Sequence, residues 1–350
     1  SFPFAEADVH RTVRESFLAW EDVETAAIVF REQGTGNFQS SSRDGQNVVV
    51  YDATGSQIGA PRGSGVIAVT RVNWNNQGEI TDADIVFNGR DFQFSVTQNS
   101  TSRGQVDLQD VLTHEIGHFA GLDHTPLVGT PDVRPTMNPF NTAEAPLAAR
   151  SLEADDRAGI SALYPSAQGQ GSGSILGSVE YFDGRSAFGV HVVAYRAGTN
   201  TFVASALSGA SGDGDYRIAG LPPGEYQVAI EPLNGQITYE NFGGVFDRPF
   251  DIDFGRKFYN GAISVAAGGE TADIDFVLGS DAPTISNAVL PVNTPDQIGP
   301  YQIFAQIQDQ EGVVAAELVY RIDGGVLQTL PLRLAEGQYT GGIPGQKTGS

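Results

Sequence analysis

Three histidines and a glutamate near residue 120 have the spacing of a hydrolytic metal site. The pattern consists of His114, Glu115, His118, Gly121 and His124. Residues four apart share one face of a helix, so His114 and His118 can offer two ring nitrogens to one ion, at about 2.0–2.1 Å for zinc. Gly121 can adopt the left-handed conformation that turns the chain back, which would bring His124 round as a third ligand. Three neutral ligands leave a fourth position for water, as in a catalytic zinc site, and Glu115 would be the general base acting on that water.

A pair of histidines four residues apart has a simpler alternative explanation. Both side chains could lie on the exposed face of an amphipathic helix. The longer pattern fixes five positions, however, and a match to it should arise by chance about once in ten thousand chains of this length. The pattern therefore favours metal binding.

These residues also carry a family resemblance. The pattern H-E-x-x-H-x-x-G-x-x-H resembles the signature of the metzincin zinc peptidases, in which a methionine turn lies beneath the metal. The only methionine of the chain, Met137, follows His124 by thirteen residues, so the resemblance assigns the turn to it. Filling a gap in a core is the alternative role of a lone methionine. By the same resemblance, Pro139 and Phe140 would form the outer wall of the substrate side-chain pocket.

A later segment narrows the resemblance to the matrixin branch. Residues Ser151–Pro165 resemble the last helix of the matrixin catalytic domain. The initial serine can cap this helix, and the final proline ends it. Leu152, Ile160 and Leu163 form its predicted buried stripe, and Asp156 falls on the same stripe. As in matrixins, Asp156 would be buried and bound to backbone amides of the methionine turn; a partly exposed first-turn acid is the alternative.

Upstream of the motif, hydrophobic periodicity predicts one amphipathic helix followed by four strands. In chain order these elements span Ala5–Val23, Ala26–Arg31, Asn47–Asp52, Gly65–Trp74 and Asp82–Phe94. The apolar stripe of the helix is Val9, Val13, Phe17 and Trp20. Asp107 is predicted to cap the helix that carries the motif. This order resembles the matrixin plan, which implies that an edge strand lines the cleft and binds peptide by strand addition. That strand would contain Val66, Ile67, Ala68 and Val69.

The sequence also departs from the animal matrixins. They hold a second, structural zinc through histidines ahead of the catalytic helix, but no histidine lies between His10 and His114. One zinc rather than two is therefore expected. The chain has no cysteine, whereas animal matrixins depend on a propeptide cysteine for latency. The resemblance thus points to a bacterial matrixin-like enzyme over residues 1 to about 165. His10 and His191 are expected to be surface residues without a ligand role.

Composition limits the classes of partner. The formal net charge of −22 argues against nucleic acid and anionic membranes. An excess of acids suits calcium, which matrixin-like domains often bind; Asp82, Asp84 and Asp91 are candidates, with plain solvation as the alternative. No run of eighteen apolar residues occurs, so no membrane span is predicted. Because the chain starts at Ser1 and its one methionine is internal, we expect a processed or trimmed product.

The chain is predicted to be multidomain. Residues 1–168 would form an α+β metzincin catalytic domain, with a mixed sheet and three helices. A Gly/Ser-rich linker follows Pro165, and few contacts are expected across it. Residues 174–280 resemble a transthyretin-like, carboxypeptidase-regulatory-like β-sandwich. Residues 281–350 read as an immunoglobulin- or fibronectin-like β-sandwich that is truncated, because too few strands fit.

These observations predict a secreted zinc endopeptidase that hydrolyses peptide bonds of extracellular proteins. We expect a monomer whose β modules contact an extracellular surface or matrix. The alternative is a surface adhesion protein whose β modules carry the function and whose peptidase domain is incidental. The complete set His114, Glu115, His118 and His124 favours the enzyme, since an unused site has no reason to retain all four.

Overall fold

A computed structural model describes most of the chain. The described residues are 2–40, 43–97, 104–129, 133–141, 146–166, 171–199, 201–210, 213–279, 284–289, 298–309, 313, 315–322 and 327–345. Over these ranges the chain forms three α-helices and twenty β-strands. The first 165 residues mix helices and strands, and the described residues after them form β-strands and one short 3₁₀ turn but no α-helix. This multidomain arrangement, α+β followed by all-β, is the predicted fold class.

The first helix, α1 (Glu6–Glu21), packs against the helix that carries the histidine motif. Its most buried residues are Thr12, Ser16 and Trp20, at helical spacing of four. The predicted apolar residues Val13 and Phe17 are only partly buried beside this line. Small polar side chains let two helices approach closely, and Ser16 satisfies its hydroxyl by donating to the Thr12 carbonyl oxygen at 2.9 Å. The stripe of the helix is therefore rotated from the one that hydrophobicity alone predicts.

A three-stranded mixed sheet follows. It contains β1 (Val49–Asp52), β2 (Ala68–Trp74) and β3 (Ile80–Asn88), in the order β1-β3-β2. β3 is parallel to β1 and antiparallel to β2, so β2 lies at an edge of this sheet. Two short strands, β4 (Phe94–Ser95) and β5 (Val106–Asp107), pair in parallel ahead of the next helix.

The strand predicted over Ala26–Arg31 is wrong, because only an isolated bridge joins Ala26 to Pro165. The backbone amides of this segment bond elsewhere. Ala27 donates to the Tyr164 carbonyl oxygen at 2.7 Å, and Phe30 donates to the side chain of Glu21. Phe30 packs on Phe17 instead of alternating across a sheet. Within this segment Ile28 is buried, whereas Val29 is 71% exposed.

Two further helices complete this part of the chain. α2 (Leu108–Phe119) begins after Asp107, whose carboxylate accepts from the Asp110 amide at 2.9 Å. α3 (Ala154–Leu163) has Glu153 and not Ser151 as its N-cap residue, because the Asp156 side chain accepts the Glu153 amide at 2.9 Å. Leu163, predicted to be buried, is 48% exposed, since α3 ends there and the next residue, Tyr164, turns inward.

One apolar core joins these elements. Its fully buried members come from α1, β3, α2 and α3. They include Trp20, Ile85, Phe87, Leu108, Leu112, Ile116 and Ile160. Trp20 donates its indole N–H to the Thr113 carbonyl oxygen at 2.9 Å, which fixes α1 on α2. The core thus holds α2, the helix with the motif, from two sides.

The region after residue 170 contains two sheets built from nine strands. Their bounds are β6 Gly173–Tyr181, β7 His191–Arg196, β8 Phe202–Leu207, β9 Asp215–Leu221, β10 Gly224–Glu231, β11 Lys257–Phe258, β12 Ile263–Val265, β13 Glu270–Thr271 and β14 Phe276–Leu278. One sheet has the order β11-β10-β7-β8, with β12 also paired to β10. The other has the order β13-β6-β14, with β9 paired to β6.

His191, at the start of β7, is not the surface residue that its alternation predicted. Its side chain is 2% exposed, and its Nδ1 atom lies 3.3 Å from a carboxylate oxygen of Glu231. Burial lowers the pKa of His191, so the ring is neutral at pH 7. The segment is the predicted strand, but its histidine points inward.

Six more strands follow. They are β15 Thr284–Val289, β16 Tyr301–Gln308, β17 Glu317–Tyr320, β18 Gln328–Pro331, β19 Arg333–Ala335 and β20 Gln338–Ile343. Four form a sheet in the order β15-β16-β20-β19, and β17 pairs with β18. No helix in the described part of the chain is long and apolar enough to cross a bilayer.

The chain divides into two compact units. One consists of Ser1–Val179, Ser186–Ile252 and Arg256–Phe276, and the other of Glu180–Arg185, Asp253–Gly255 and Val277–Ser350. The predicted catalytic domain and most of the first β module therefore share one unit. Linker residues 167–170 lie outside the described ranges. The bounds of the three predicted domains stay predictions.

Candidate metal centre

Helix α2 carries His114, Glu115 and His118, and its residue 117 must be glycine because the space beside it is filled. A Cβ atom built on Gly117 would overlap the Met137 sulfur and lie 2.9 Å from the Trp20 ring. The sequence pattern treats this position as variable, yet only glycine lets the methionine approach the helix this closely. Gly121 ends the helix with φ +99°, and Leu122 donates to the Gly117 carbonyl oxygen at 2.9 Å. The helix therefore ends in the predicted sharp turn.

The turn brings His124 back to the two helical histidines. One ring nitrogen from each of His114, His118 and His124 can be chosen so that all three lie within 4.8 Å of one another. The Nε2 atoms of His118 and His124 are 3.2 Å apart. Two ligands of a tetrahedral zinc at 2.0–2.1 Å would be separated by about 3.3 Å. The cluster can therefore hold one metal ion. No other group of three or more such ligands occurs in the ranges that the structure describes.

The other ring nitrogen of each histidine is occupied by a backbone carbonyl. Nδ1 of His114 lies 2.6 Å from the Thr136 oxygen, and Nδ1 of His118 lies 2.8 Å from the Leu122 oxygen. Nδ1 of His124 lies 2.5 Å from the oxygen of Asn241. A carbonyl only accepts, so Nδ1 must carry the proton and Nε2 must present its lone pair. All three rings are fixed in the tautomer that a metal requires.

The electrostatic environment keeps these rings neutral. Burial, together with the neighbouring imidazoles, holds the pKa of His114 well below its usual value. Burial also lowers the pKa of His118 and His124. Neutral imidazole is the form that binds metal.

Glu115 lies beside the cluster and is 6% exposed. Burial raises the pKa of its carboxyl to about 7. Thr70, on the edge strand β2, donates its hydroxyl to the Glu115 carboxylate at 2.5 Å. No sequence pattern indicates this contact, because 45 residues separate the two side chains. Burial and one fixed hydrogen bond orient the carboxylate.

The turn beneath the cluster is tied to α3. Met137 is 2% exposed, and its sulfur faces Gly117. Asp156 is 2% exposed and accepts from the amides of Thr136 and Met137, each at 2.9 Å. Since Thr136 also provides the carbonyl for His114, α3 holds the turn that orients the first histidine.

The residues predicted to bind substrate lie at two places. Ala68 and Val69 are the first residues of β2, whereas Val66 and Ile67 precede it. The carbonyl oxygens of Val66 and Ile67 both accept from Asn88, at 2.8 and 2.9 Å.

Pro139 and Phe140 follow the methionine turn. The Phe140 ring packs against a group of buried apolar side chains in the β region, which we name the aromatic cluster; it consists of Phe188, Ile237, Phe242 and Phe246. Phe140, which the resemblance predicts to be part of the pocket wall, is thus supported by residues of the β region.

The calcium candidates are bound to protein donors. Asp82 accepts from the amides of Arg43 and Gly45 at 3.1 and 2.9 Å. Asp84 accepts from the Val48 amide at 3.1 Å, and Asp91 pairs with Arg90. His10 is also engaged, with Nδ1 2.8 Å from a Glu32 oxygen.

Comparisons with known proteins agree with this geometry. Residues 2–165 match the family model of the matrixins, Peptidase_M10, which is just under half of the chain. No curated protein matches the chain.

The solved structures with some similarity include proteins of three bacteria. A DUF3823 family protein of Parabacteroides merdae is 17% identical, with 50% of this chain and 81% of that chain covered and a TM-score of 0.19. The TIE protein of Bacillus anthracis is 13% identical, with 51% and 32% covered and a TM-score of 0.21. The major pilin subunit BcpA of Bacillus cereus is 12% identical, with 49% and 53% covered and a TM-score of 0.20. TM-scores this low do not indicate a shared overall fold.

Proposed function

We propose that the chain is a zinc-dependent endopeptidase, because residues 2–165 match the matrixin family model. The observation that carries the proposal is the convergence of His114, His118 and His124, each with Nδ1 on a carbonyl, beside the buried Glu115. A structural zinc site is usually closed by four protein ligands. Three histidines next to an acid that is not needed as a ligand are typical of a catalytic site instead.

The donor set fits one zinc ion. Three neutral nitrogens suit a borderline-soft metal, and the chain offers no thiolate. Zinc bound there would act as a Lewis acid, acidifying water and polarising the carbonyl of the bond to be cut. Calcium, also expected from the sequence, remains a prediction.

Glu115 acts as general base and then general acid in this proposal. Its carboxylate takes a proton from the attacking water and delivers it to the leaving amine. A pKa raised to about 7 by burial suits both roles near neutral pH. Thr70 holds the carboxylate in one orientation through its hydroxyl. Met137 and Asp156 do not touch the substrate in this proposal. Asp156 holds the methionine turn, and Met137 sets the spacing between that turn and α2.

Substrate would lie along the edge strand. β2 pairs only with β3 among the described strands, so one side of Ala68 and Val69 can accept a peptide by strand addition. Main-chain bonds of this kind do not select side chains, and Phe140 would supply selectivity for the residue after the cut bond. By resemblance to matrixins, we infer that the substrates are extracellular proteins and that the chain is secreted.

The test uses the whole chain with casein or gelatin as substrate. We expect cleavage that a zinc chelator abolishes and that added zinc restores, with one zinc per chain by elemental analysis. Glu115→Ala should be inactive under the same conditions. Cleavage that survives complete zinc removal would contradict the proposal, as would cleavage by the Glu115→Ala protein at the wild-type rate.

A further inference from the structure

The backbone carbonyl that orients the His124 ring comes from a distant part of the chain. The carbonyls that orient His114 and His118 belong to Thr136 and Leu122, within 22 residues. The carbonyl that orients His124 belongs to Asn241, 117 residues away. At 2.5 Å, this contact between Nδ1 and the carbonyl oxygen is the shortest of the three.

Asn241 lies in a rigid turn of the β region. It ends the short 3₁₀ turn Tyr239–Asn241, which follows strand β10. Its side-chain oxygen accepts from the Thr238 amide at 2.8 Å, and its own amide donates to the Thr238 carbonyl oxygen at 3.0 Å. These two bonds set the direction of the turn and therefore of the Asn241 carbonyl.

The residues around the turn anchor it on both sides. Phe242, the next residue, is 3% exposed within the aromatic cluster. Gly243 has φ +47°, and a Cβ atom there would lie 3.2 Å from a carboxylate oxygen of Asp123. The turn thus packs directly beside the segment that carries His124.

We propose that the β module is an integral part of the metal centre and that Asn241 is a positioning residue for His124. This inference rests on the proposed zinc peptidase function. The Asn241 carbonyl fixes the ring tautomer and the orientation of His124, and the aromatic cluster supports Phe140. Loss of an outer partner of this kind lowers metal affinity by about 10–100-fold.

The experiment measures zinc affinity in the full chain by competition with a chelator. Asn241→Ala removes the side-chain bond, one of the two that direct the turn, and should weaken zinc binding by about tenfold or more. Asn234→Ala is the matched control, since it is the same substitution at an exposed residue of the same segment; it should bind zinc like the wild type. The melting temperature of each metal-free protein should stay unchanged, which separates positioning from general destabilisation.

A second variant moves the backbone itself. Gly243→Val places a branched side chain at a left-handed position beside Asp123, so the turn must shift. We expect a comparable loss of zinc affinity, and a lower kcat with a smaller change in KM. Zinc affinity within twofold of the wild type in both variants would overturn the inference.

The two proposals can fail separately. A wild-type chain that binds zinc but cleaves nothing would end the peptidase proposal, while the affinity comparison would still decide the role of Asn241. Active enzyme with unchanged affinity in both variants would leave the peptidase proposal intact and remove the positioning role.

Discussion

At the scale of single residues, we expect turnover, but not zinc binding, to depend on Glu115. It is buried, and its carboxylate bonds to Thr70 rather than lying among the three converging nitrogens. We expect Glu115→Ala to keep its zinc and to lose activity by several orders of magnitude. Elemental analysis and kcat on the same preparation check this, with the exposed Glu15→Ala as control. Loss of zinc from the variant would show that Glu115 is a ligand.

Thr70 gives a second test at the same scale. A hydrogen bond to a charged group contributes about 1.5–3 kcal/mol, so Thr70→Val should lower kcat by about tenfold or more. Zinc content should not change, and Thr70→Ser should retain most of the activity. Thr81→Val removes an exposed hydroxyl from strand β3 of the same sheet and serves as control. Equal kcat for Thr70→Val and the wild type would mean that the bond does not orient Glu115.

At the scale of elements, the contact between α2 and the methionine turn is the tightest in the centre. Alanine normally stabilises a helix interior by about 1 kcal/mol relative to glycine. At Gly117 we expect the opposite sign, because the new Cβ would overlap the Met137 sulfur. Overpacking of this kind costs about 1–3 kcal/mol.

The melting temperature of Gly117→Ala shows whether the substitution lowers stability, as expected here. Gly235→Ala, where nothing lies within 4 Å of the new atom, should be neutral. A Gly117→Ala protein with a higher melting temperature than the wild type would show that the turn moves freely away from the helix.

Local patterns were the predictable part of these elements. The spacing from His114 to His124, the Asp107 cap and the turn at Gly121 all depend on neighbours in sequence. The segment Ala26–Arg31 was mispredicted because its amides bond to Tyr164 and Glu21, which its own sequence does not reveal. The burial of His191 was likewise missed, because its alternation with Val190 and Val192 indicates one exposed face, whereas β7 is buried on both faces from His191 to Ala194.

The supports of the site were beyond sequence reasoning. Thr70 and Asn241 reach the centre through a hydroxyl and a backbone carbonyl, 45 and 117 residues from their partners. Any residue can provide a backbone carbonyl, so no sequence motif identifies the one that contacts His124. The packing of β2 on α2 brings Thr70 into place, and the aromatic cluster next to the turn brings the Asn241 carbonyl into place.

At the scale of the whole molecule, Asp155 links α3 to strand β8. Its carboxylate accepts from the Ser205 amide at 3.1 Å. Burial, with the neighbouring Asp156, raises its pKa to about 7, against ~3.9 in an unfolded chain. The folded state therefore holds this proton more tightly. The protonated Asp155 carboxyl therefore stabilises the folded state fully below about pH 4, and this stabilisation is lost as the pH rises through 7.

Asp155→Asn removes this titration and keeps an acceptor for Ser205. The melting temperature of the variant minus that of the wild type should therefore be more positive at pH 8 than at pH 5. A difference on the order of 1 kcal/mol corresponds to about 2–4 °C for a unit of this size. Asp44→Asn, at an exposed position, should give the same difference at both pH values. A difference that falls with rising pH would contradict the assignment.

The contacts across the linker bear on independent folding. The linker composition predicts that residues 1–168 fold and cleave alone. The structure instead joins Asp155 to Ser205 and His124 to Asn241, and packs Gly220 directly on the Ala158 carbonyl. From these contacts we expect residues 1–168 to bind zinc more weakly and melt at a lower temperature than residues 1–280. Equal zinc affinities and equal melting temperatures for the two fragments would show that residues 1–168 fold independently.

The bond between His124 and Asn241 also has a consequence for the order of events during synthesis. A ribosome that adds about 5–20 residues each second needs roughly 6–23 s to extend the chain over the 117 residues between them. During that interval His114, His118 and His124 have already been synthesised, but the carbonyl that fixes the His124 ring does not yet exist. The nascent peptidase segment is therefore made before its metal centre can be completed, and completion waits for the β module to fold.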